Sequence, residues 1–418
     1  MESRRRAALG FIFVTVMLDM LAFGIIAPVL PRLVKDFLHG DVARSSEYMG
    51  LFVTAWAIMQ FVFSPVLGMF SDRYGRRPVV LLSNFGLALD YVVMALAPTI
   101  WWLFLGRVLS GLTSSSLPTA QAYISDVTPP EKRAKAFGMF GAAFGIGFIL
   151  GPAMGGWLGA INPRLPFWVA GGFSLLNAMY GLFVLPESLP VEKRQPRFNW
   201  KKANPLGALV LLSSHPELMG LAAVNFLNYV AHQVYVTVFV LYVMYRYAWD
   251  QKAVGWSLAV VGVASMIVSG LLVGPAVKRF GERQALFGGL FFGAVGFLLF
   301  GWASAGWMML GAIAVNALWS LSGPPSQALM TRRVSPSEQG QLQGAIASLR
   351  GIAMVIGPGV FSATFAYSIA GNRNFPGAPW FLAGSFVFAA LVVAWVVAPR
   401  ADAETGGSAE LAEEGAVG

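Results

Sequence analysis

Two carboxylates and one arginine stand inside long apolar runs of this sequence. Asp19 lies in FIFVTVMLDMLAFGIIAPVLP, Asp90 in VLLSNFGLALDYVVMALAP and Arg107 in IWWLFLGRVLSGL. A carboxylate is costly to keep ionised in an apolar medium, so its charge state responds to desolvation and to a nearby cation. Such a group can take up a proton in one environment and release it in another, which is the chemistry of proton coupling. The alternative is a fixed ion pair that holds helices together.

A second group of polar side chains recurs every three or four residues in NFLNYVAHQVYVTVF, which begins at Asn225. On a helix, residues three or four apart share one face, which here holds Asn225, Asn228, His232 and Tyr235. A polar stripe in an apolar helix should face the interior or water, so we expect it to line a substrate cavity; the alternative is hydrogen bonding to neighbouring helices. His232 could titrate near neutrality, although a lone histidine is more often only a hydrogen-bonding residue. Further cavity candidates are Gln60, Gln121, Gln233, Asn316, Trp319, Gln327 and Arg350, with Trp56, Phe61 and Phe144 as aromatic residues that could stack on a planar compound.

Composition defines the setting of these residues. Of 418 residues, 56% are hydrophobic and 12% are charged, whereas a soluble domain has about 25% charged residues. The mean hydropathy is +0.65, which predicts an integral membrane protein in contact with the lipid bilayer. The absence of cysteine excludes disulfides and thiolate metal sites.

Apolar runs long enough to cross a bilayer core of about 30 Å recur from end to end. They are predicted to be helices, because a membrane span must pair its own backbone groups. The twelve predicted spans are 8–31, 47–70, 79–98, 101–123, 136–160, 166–185, 217–244, 253–276, 285–304, 306–329, 341–369 and 378–398.

Positive charge is distributed unevenly between the connecting segments. With both termini placed in the cytoplasm, most of the 29 Lys and Arg residues fall on the cytoplasmic side, as the positive-inside rule expects. The net charge of +9 is therefore assigned to membrane topology and not to nucleic-acid binding. The chain is predicted to divide into an N-terminal six-helix bundle (1–185), a cytoplasmic linker (186–215), a C-terminal six-helix bundle (216–399) and a disordered cytoplasmic tail (400–418).

The two halves repeat one another. GMFSDRYGRRPVVLL begins at Gly68 and GPAVKRFGERQALFG begins at Gly274, an offset of 206 residues, and a Gly-Pro pair at 151–152 recurs at 357–358 with the same offset. Repeats with the same orientation in the membrane predict two bundles with a cavity between them. The predicted fold is an all-α membrane protein of twelve transmembrane helices in two pseudo-symmetric six-helix bundles, which rock to expose the cavity to either side.

Several motifs resemble those of a known transporter family. GMFSDRYGRRP resembles the loop motif G-x-x-x-D-R-x-G-R-R-P of the major facilitator superfamily, LGRVLSGLTSS resembles its fourth-helix motif, and GFILGPAMGG resembles the fifth-helix motif of its proton-coupled drug antiporters. The first half is most similar to the tetracycline/proton antiporters. The resemblance implies the major facilitator fold and proton-coupled efflux of amphipathic or aromatic drugs by alternating access. The ionisable residues within the spans themselves make Asp19, Asp90 and Arg107 the candidates for proton coupling.

The second half departs from the tetracycline exporters at two positions. These relatives carry a histidine in the eighth helix and an aspartate in the ninth, where this sequence has Ser265 and Gly293. Transport of a metal–tetracycline chelate therefore does not follow from the resemblance.

The loop motif also suggests a gate at the cytoplasmic end of the second helix. Gly75 permits a tight turn there, and the basic residues satisfy the positive-inside rule. A carboxylate in this basic loop favours a further role, in which Asp72 accepts hydrogen bonds from an arginine or from a facing helix N-terminus and closes the cytoplasmic mouth. The predicted gate comprises Asp72, Arg73, Gly75, Arg76 and Arg77.

Small residues recur in the fifth predicted helix, within FGIGFILGPAMGG. Gly147, Gly151 and Gly155 are four residues apart, and Pro152 can kink the helix. Small residues at this spacing allow close contact between helices. The antiporter resemblance adds that this tight surface seals the cavity against leakage.

Other function classes find little support. No enzyme constellation, metal-ligand cluster or Walker pattern occurs in the sequence, so we expect no enzymatic activity, no cofactor, no metal and no direct ATP drive. The expected partners are a small-molecule substrate and protons, with no nucleic acid. The protein is expected to work as a monomer in the bacterial inner membrane. The alternative function is a proton-coupled symporter that imports a small organic solute.

Overall fold

The computed structural model describes residues 2–196, 198, 204–371 and 373–398, and every regular element in this part of the chain is helical. The predicted tail, 400–418, lies outside the described residues, as do positions 197 and 199–203 of the predicted linker.

The first half has eight helices, because two of its six crossings are broken. A turn separates α1 from α2, and two serines, Ser114 and Ser115, separate α5 from α6. The helices are α1 (Glu2–Ile26), α2 (Leu30–Phe37), α3 (Val42–Tyr74), α4 (Arg76–Leu96), α5 (Ile100–Thr113), α6 (Ser116–Val127), α7 (Pro130–Ile161) and α8 (Leu165–Val184).

The second half repeats this pattern. A break at Val238 bends the first crossing by 52°, and a 3-10 turn at Leu318–Leu321 interrupts the fourth. A π-helical stretch, Val268–Leu272, joins α12 to α13. The helices are α9 (Val210–Ser214), α10 (Pro216–Thr237), α11 (Phe239–Tyr247), α12 (Gln251–Ile267), α13 (Val273–Trp302), α14 (Gly306–Ala317), α15 (Gly323–Thr331), α16 (Gln339–Ile369) and α17 (Ala378–Val397).

Over the described residues these helices make twelve crossings, which confirms the predicted fold class. Eight helical segments are individually long and apolar enough to span a membrane, and the bent pair α10–α11 adds another. Two further crossings are each built from two short helices, α5 with α6 and α14 with α15, so neither contains a single helix long enough to span a membrane. The chain also reverses direction at Gly281 within α13, so the two parts of this helix belong to two different crossings.

The turn glycines show the internal repeat in the backbone itself. Gly75, between α3 and α4, has φ 107° and ψ 164°, and Gly281, 206 residues later, has φ 79° and ψ 164°. Side chains rarely tolerate such positive φ values, so both reversals require glycine. The same tight turn is therefore built twice, once in each half.

The basic connections gather at one end of the bundles. We call this end the arginine-rich face; it includes Arg76, Arg133, Arg194, Arg283 and Arg332. The other end, which we call the opposite face, has arginines that cap helix C-termini. Arg164 donates to the carbonyl oxygens of Ala95 and Ala97, both at 2.8 Å.

Two helix pairs make the main contacts between the halves: α3 packs on α16, and α7 packs on α12. Near the opposite face, the Ser46 hydroxyl donates to the Ser362 carbonyl at 3.1 Å. Deeper along the same pair, the Thr54 hydroxyl donates to the Val355 carbonyl at 3.3 Å. These contacts hold the two bundles together from the opposite face to about mid-depth.

The bundles separate toward the arginine-rich face. Cβ atoms added at Gly138 and Gly141 of α7, or at Gly270 and Gly274 on the partner crossing, would meet no heavy atom within 4 Å. At these positions near the arginine-rich face α7 and its partner crossing have no packing neighbours, whereas the hydrogen bonds between α3 and α16 lie toward the opposite face.

The predicted linker is partly helical and touches both halves. It contains a 3-10 turn at Val191–Lys193 and α9. Its Gln195 amide donates to the Asp72 carbonyl at 3.0 Å, and its Pro205 carbonyl accepts the Ser348 hydroxyl. The predicted boundaries of the two bundles remain predictions.

Candidate functional site

Asp19 lies inside the first bundle, with 3% of its surface exposed. Asn177 of α8 donates its Nδ2 to Asp19 Oδ1 at 3.0 Å, and the Thr15 hydroxyl donates to Asn177 Oδ1 at 3.0 Å. Asp19 Oδ2 is buried without a hydrogen-bond partner among the described residues, and Ser116 of α6 is the other polar side chain beside the carboxyl. In this conformation the Asp19 carboxyl points toward α8, among the helices of the first bundle.

Asp90 and Arg107 form a buried ion pair in the same bundle. Arg107 Nη2 donates to Asp90 Oδ2 at 2.8 Å, and Arg107 and Asp90 are 7% and 0% exposed, respectively. A Cβ at Gly106 would lie 2.6 Å from Asp90 Oδ1, so glycine at this position leaves room for the carboxylate. The sequence left the partner of Arg107 open; the structure pairs it with Asp90.

The polar stripe of α10 divides into two groups with different surroundings. Asn225 is buried and donates its Nδ2 to Ser326 Oγ of α15 at 2.9 Å. Gln233 is also buried, and its side-chain carbons pack against Gly357 of α16. In this conformation both side chains hydrogen-bond or pack between helices, and their role in lining a substrate cavity stays a prediction.

Asn316 also belongs to the interior of the second bundle. It is buried, accepts the Tyr235 hydroxyl at 2.5 Å and donates its Nδ2 to the Gly293 carbonyl at 3.3 Å. The Asn316 amide thus joins α10, α13 and α14 in this conformation, and its role in the cavity stays a prediction.

Two other residues of α10 and a tryptophan of the 3-10 turn Leu318–Leu321 form an aromatic wall, which we define as His232, Tyr235 and Trp319. The His232 ring lies 6.0 Å from each of the other two ring centroids. Trp319 donates its Nε1 to Asn228 Oδ1 at 3.0 Å, which fixes the indole. His232 is exposed, and Asn228 and Trp319 are partly exposed, so this wall can meet a ligand.

The packing of Trp319 explains why position 293 is a glycine in this structure. A Cβ added at Gly293 would lie 2.5 Å from Trp319 Cδ1 and 2.7 Å from Trp319 Cγ. The indole of Trp319 therefore fills the space that an acidic side chain at position 293 would need.

The other predicted cavity residues lie at several depths. Gln60 is partly exposed and donates to Ser114 Oγ at 3.0 Å, at the break between α5 and α6. Gln327 is exposed and donates to Gln343 Oε1 at 3.2 Å. Gln121 and Arg350 are exposed.

All three aromatic candidates have protein neighbours, and the Trp56 ring lies 6.2 Å from the Phe23 ring. The Phe61 ring packs on the backbone of Gly351, where a Cβ would lie 2.7 Å from Phe61 Cε2, so Phe61 belongs to the contact between the halves. Phe144 is exposed and stacks on Phe148 at 6.1 Å. Trp56 is partly exposed.

The predicted gate residues form an ion cluster within the first bundle. Arg76 donates to Asp72 Oδ1 at 2.5 Å and to Asp126 Oδ2 of α6 at 3.1 Å. Arg73 lies 4.5 Å above the centroid of the Phe198 ring from the linker, and Arg77 donates to the Leu182 carbonyl at 2.6 Å. Asp72 thus binds an arginine of its own bundle in this conformation.

Glu187 is a residue that the sequence reasoning missed. Its carboxylate accepts the backbone amides of Arg76 at 2.8 Å and Arg77 at 3.3 Å, which caps the N-terminus of α4. A carboxylate at a helix N-terminus is favourable because it meets unpaired amides and the positive end of the helix dipole. Glu187 follows α8 in PESLP, and no local pattern predicts that this segment meets α4 more than one hundred residues earlier.

The second half has the equivalent ion pair with its charges exchanged. Glu282 and Arg332 are 2.8 Å apart, and each follows its first-half equivalent, Arg76 or Asp126, by 206 residues. Both pairs tie the turn after the second helix of a half to the end of its fourth helix.

The glycines of α7 face two different neighbours. Gly147, Gly151 and Gly155 pack on α1: a Cβ at Gly151 would lie 2.6 Å from Gly24 Cα. Gly156 packs across the halves, since a Cβ added there would lie 2.8 Å from Gly255 Cα of α12. The tight helix contact is thus observed, while the sealing role remains a prediction.

Comparison with known proteins places this arrangement in a family. The chain matches the Major Facilitator Superfamily over residues 12–358 and 221–417. The chain belongs to the Major Facilitator Superfamily. It is therefore an integral membrane transporter, and the resemblance inferred from its motifs is confirmed.

Within this superfamily the chain is similar to tetracycline resistance proteins. It is 37% identical to the class C protein of Escherichia coli over 86% of this chain and 90% of that protein. It is also 37% identical to the class E protein of Escherichia coli over 91% of this chain and 92% of that protein.

Solved structures of the superfamily share the fold. The human organic anion transporter MFSD10 has a TM-score of 0.69 at 23% identity, covering 93% of this chain and 99% of that chain. The nucleoside transporter NupG has a TM-score of 0.76 at 14% identity, covering 94% and 99%. These likenesses extend over both bundles.

Proposed function

We propose that this transporter exports amphipathic aromatic drugs, tetracycline-like compounds among them, in exchange for protons. The observation that carries the proposal is the similarity to tetracycline resistance proteins at 37% identity over as much as 91% of the chain. The fully buried carboxylates of the first bundle support it, because proton coupling needs ionisable groups that are shielded from bulk water.

Proton coupling is assigned to Asp19 in the first instance. Asp90 already has Arg107 as a counter-ion at 2.8 Å, whereas the described neighbours of Asp19 are neutral and one of its carboxylate oxygens has no hydrogen bond to them. A carboxyl that is buried without a cation nearby gains or loses a proton readily when its hydration changes. Closure of one face and opening of the other would supply that change.

The arginine-rich face is placed in the cytoplasm by the positive-inside rule. The conformation described here would then be open to the cytoplasm and ready to receive a drug from inside the cell. The cluster of Asp72, Arg76 and Asp126 is proposed to gate this face, by positioning α3 and α4 for contact with the second bundle when the mouth closes.

The substrate is proposed to bind between the halves, against the aromatic wall and beside Asn228. Aromatic rings favour offset or edge contacts with planar compounds at centroid distances of about 4.5–7 Å. Gln60 and Gln121 of the first bundle, with Gln327 of the second, would contribute hydrogen bonds from the exposed ends of their side chains.

Uptake into inside-out vesicles tests this function directly. Vesicles from a host without its own drug exporters, with and without this protein, would be energised to an acidic interior and offered tetracycline. We expect protein-dependent accumulation that collapses when an ionophore dissipates the proton gradient. Accumulation that survives the ionophore would contradict proton coupling.

Vesicles of the native orientation separate export from the symporter alternative. An importer driven by protons would concentrate a solute inside right-side-out vesicles with an alkaline interior, whereas the proposed exporter would lower the internal level of tetracycline. A drug-susceptibility panel in the same host would define the compounds that are carried.

A further inference from the structure

The charged groups of the central cavity are not those of the first bundle. Asp19, Asp90 and Arg107 are all buried among first-bundle helices. Arg350 of α16 is instead exposed, about 16 Å along the helix axis from Gln339 at 1.5 Å per residue. It therefore places a positive charge well inside the membrane-spanning part of the second bundle.

Arg350 has no counter-ion in the part of the chain that the structure describes. Among these residues it makes no hydrogen bond and no ion pair, and it is absent from the salt bridges of the second half. The acidic residues of 204–398 stand at helix ends, at Glu217, Asp250, Glu282 and Glu338. None of these four lies at the depth of Arg350.

The side chain of Arg350 belongs to the cavity and not to the lipid surface. His232 and Tyr229 of α10 both lie within electrostatic range of it. The Phe61 ring of the first bundle packs against the next residue, Gly351. Arg350 thus lies next to the seam that joins the two halves and within electrostatic range of the exposed ring of His232.

An arginine cannot relieve the cost of burial by losing its proton, because its guanidinium stays charged in proteins. While the cavity is open at the arginine-rich face, water can solvate Arg350. When the halves close around a substrate and exclude water, a compensating negative charge has to come with the substrate. A guanidinium suits a carboxylate or an enolate because it can donate two parallel hydrogen bonds.

We propose that Arg350 is the anion-binding group of the cavity and that the preferred substrates carry an ionised carboxyl or enolate group on an aromatic ring system. The acidic group pairs with the guanidinium, and the ring system rests on the aromatic wall of His232, Tyr235 and Trp319. The inference rests on the proposed function, since it names the substrate class of the same cavity.

A matched pair of probes tests this site in the full-length protein in lipid nanodiscs. Nalidixic acid, an aromatic carboxylic acid ionised at pH 7.5, and its neutral carboxamide would be titrated while tryptophan fluorescence is followed. Because a hydrogen bond to a charged group contributes about 1.5–3 kcal/mol, we expect the acid to bind at least about tenfold more tightly than the amide. Equal affinities for the two probes in the wild-type protein would overturn the proposal.

Variants locate the effect at Arg350. In Arg350→Gln the affinity for the acid should fall to that for the amide, while the affinity for the amide stays unchanged; Arg350→Lys should keep part of the preference. Arg279→Gln removes the same charge from the exposed arginine-rich face and should leave both affinities unchanged. Equal losses for both probes in Arg350→Gln would overturn the assignment, and if that variant does not fold, the wild-type and lysine results decide.

This measurement needs no proton gradient, so its outcome is independent of transport. Selective binding of the acid without gradient-driven accumulation in vesicles would contradict the proposed function and leave the anion site standing. Gradient-driven accumulation with equal affinity for both probes would contradict the anion site and leave the proposed function standing.

Discussion

At the scale of single residues, the two mid-span carboxylates of the first bundle have different surroundings. Asp90 is neutralised by Arg107 at 2.8 Å, in a site that a side chain at position 106 would fill. Asp19 is held by an amide, Asn177, at 3.0 Å, and one of its oxygens has no partner among the described residues. A charged partner locks a carboxylate in one state, whereas neutral partners leave both protonation states accessible.

Asp19→Asn should therefore separate coupling from translocation. The amide keeps the size of the carboxyl and can still accept the hydrogen bond from Asn177, but it cannot exchange a proton. We expect loss of proton-driven accumulation of tetracycline, with counterflow exchange within about threefold of the wild-type rate, because the substrate cavity is untouched. Both rates would be measured in proteoliposomes.

Asp90 supplies the matched comparison. Asp90→Asn leaves the guanidinium of Arg107 buried without a partner, which costs about 3–5 kcal/mol, so we expect a large drop in melting temperature that Arg107→Gln in the same chain partly restores. If Asp19→Asn accumulates substrate like the wild type and the double variant is stable but does not, the two roles are reversed.

At the scale of helices, glycine sets how closely the elements approach. Gly147, Gly151 and Gly155 let α7 contact α1 within the first bundle, whereas Gly156 meets Gly255 of α12 across the halves. One helix therefore serves an intra-bundle contact and the contact between bundles, on neighbouring faces. Small residues suit this purpose because backbones can approach without side chains between them.

Gly156→Val should force α7 and α12 apart at the closed end. The added Cβ would lie 2.8 Å from Gly255 Cα, a distance that only backbone movement can relieve. We expect at least about a tenfold loss of tetracycline transport and a faster substrate-independent decay of a proton gradient in proteoliposomes, since the seal at the opposite face is opened.

The matched control lies on the same helix. Gly141→Val introduces the same side chain where nothing stands within 4 Å, so we expect transport and proton retention close to those of the wild type. Equal damage by both variants would show that α7 is sensitive to valine in general, and the sealing role would be rejected.

At the scale of the whole molecule, the two bundles touch near the opposite face and separate toward the arginine-rich face. Ser46 and Thr54 of α3 hydrogen-bond to carbonyls of α16, while the glycines of α7 and its partner crossing near the other end face open space. Alternating access requires this pattern of contact to invert during each cycle.

Cysteine cross-linking can trap this conformation, because the natural chain has no cysteine. Oxidation of the pair Ser46→Cys and Ser362→Cys should join the bundles at the opposite face and abolish transport, and reduction should restore it. A pair at Gly138 and Gly274 should not cross-link in the resting protein, since both positions face open space. Undiminished transport by the oxidised first pair would contradict the rocking of the two bundles.

Sequence patterns alone determined the large-scale organisation of this protein. Apolar run lengths predicted all twelve crossings, because the bilayer imposes length and internal hydrogen bonding on every span. The offset of 206 residues between GMFSDRYG and GPAVKRFG predicted two related halves, and the structure repeats the turn geometry at Gly75 and Gly281. The motifs around Asp72 and Gly151 indicated the family that the chain matches.

Only the tertiary structure decided which side chains meet. Helix periodicity places Asn225, Asn228 and His232 on one face of α10, but α15 covers Asn225 while His232 stays exposed. The partner of Arg107 and the cap that Glu187 provides for α4 are likewise contacts between distant segments. The physical reason is that periodicity fixes the direction of a side chain on its own helix, whereas its burial and its partners depend on how neighbouring helices pack.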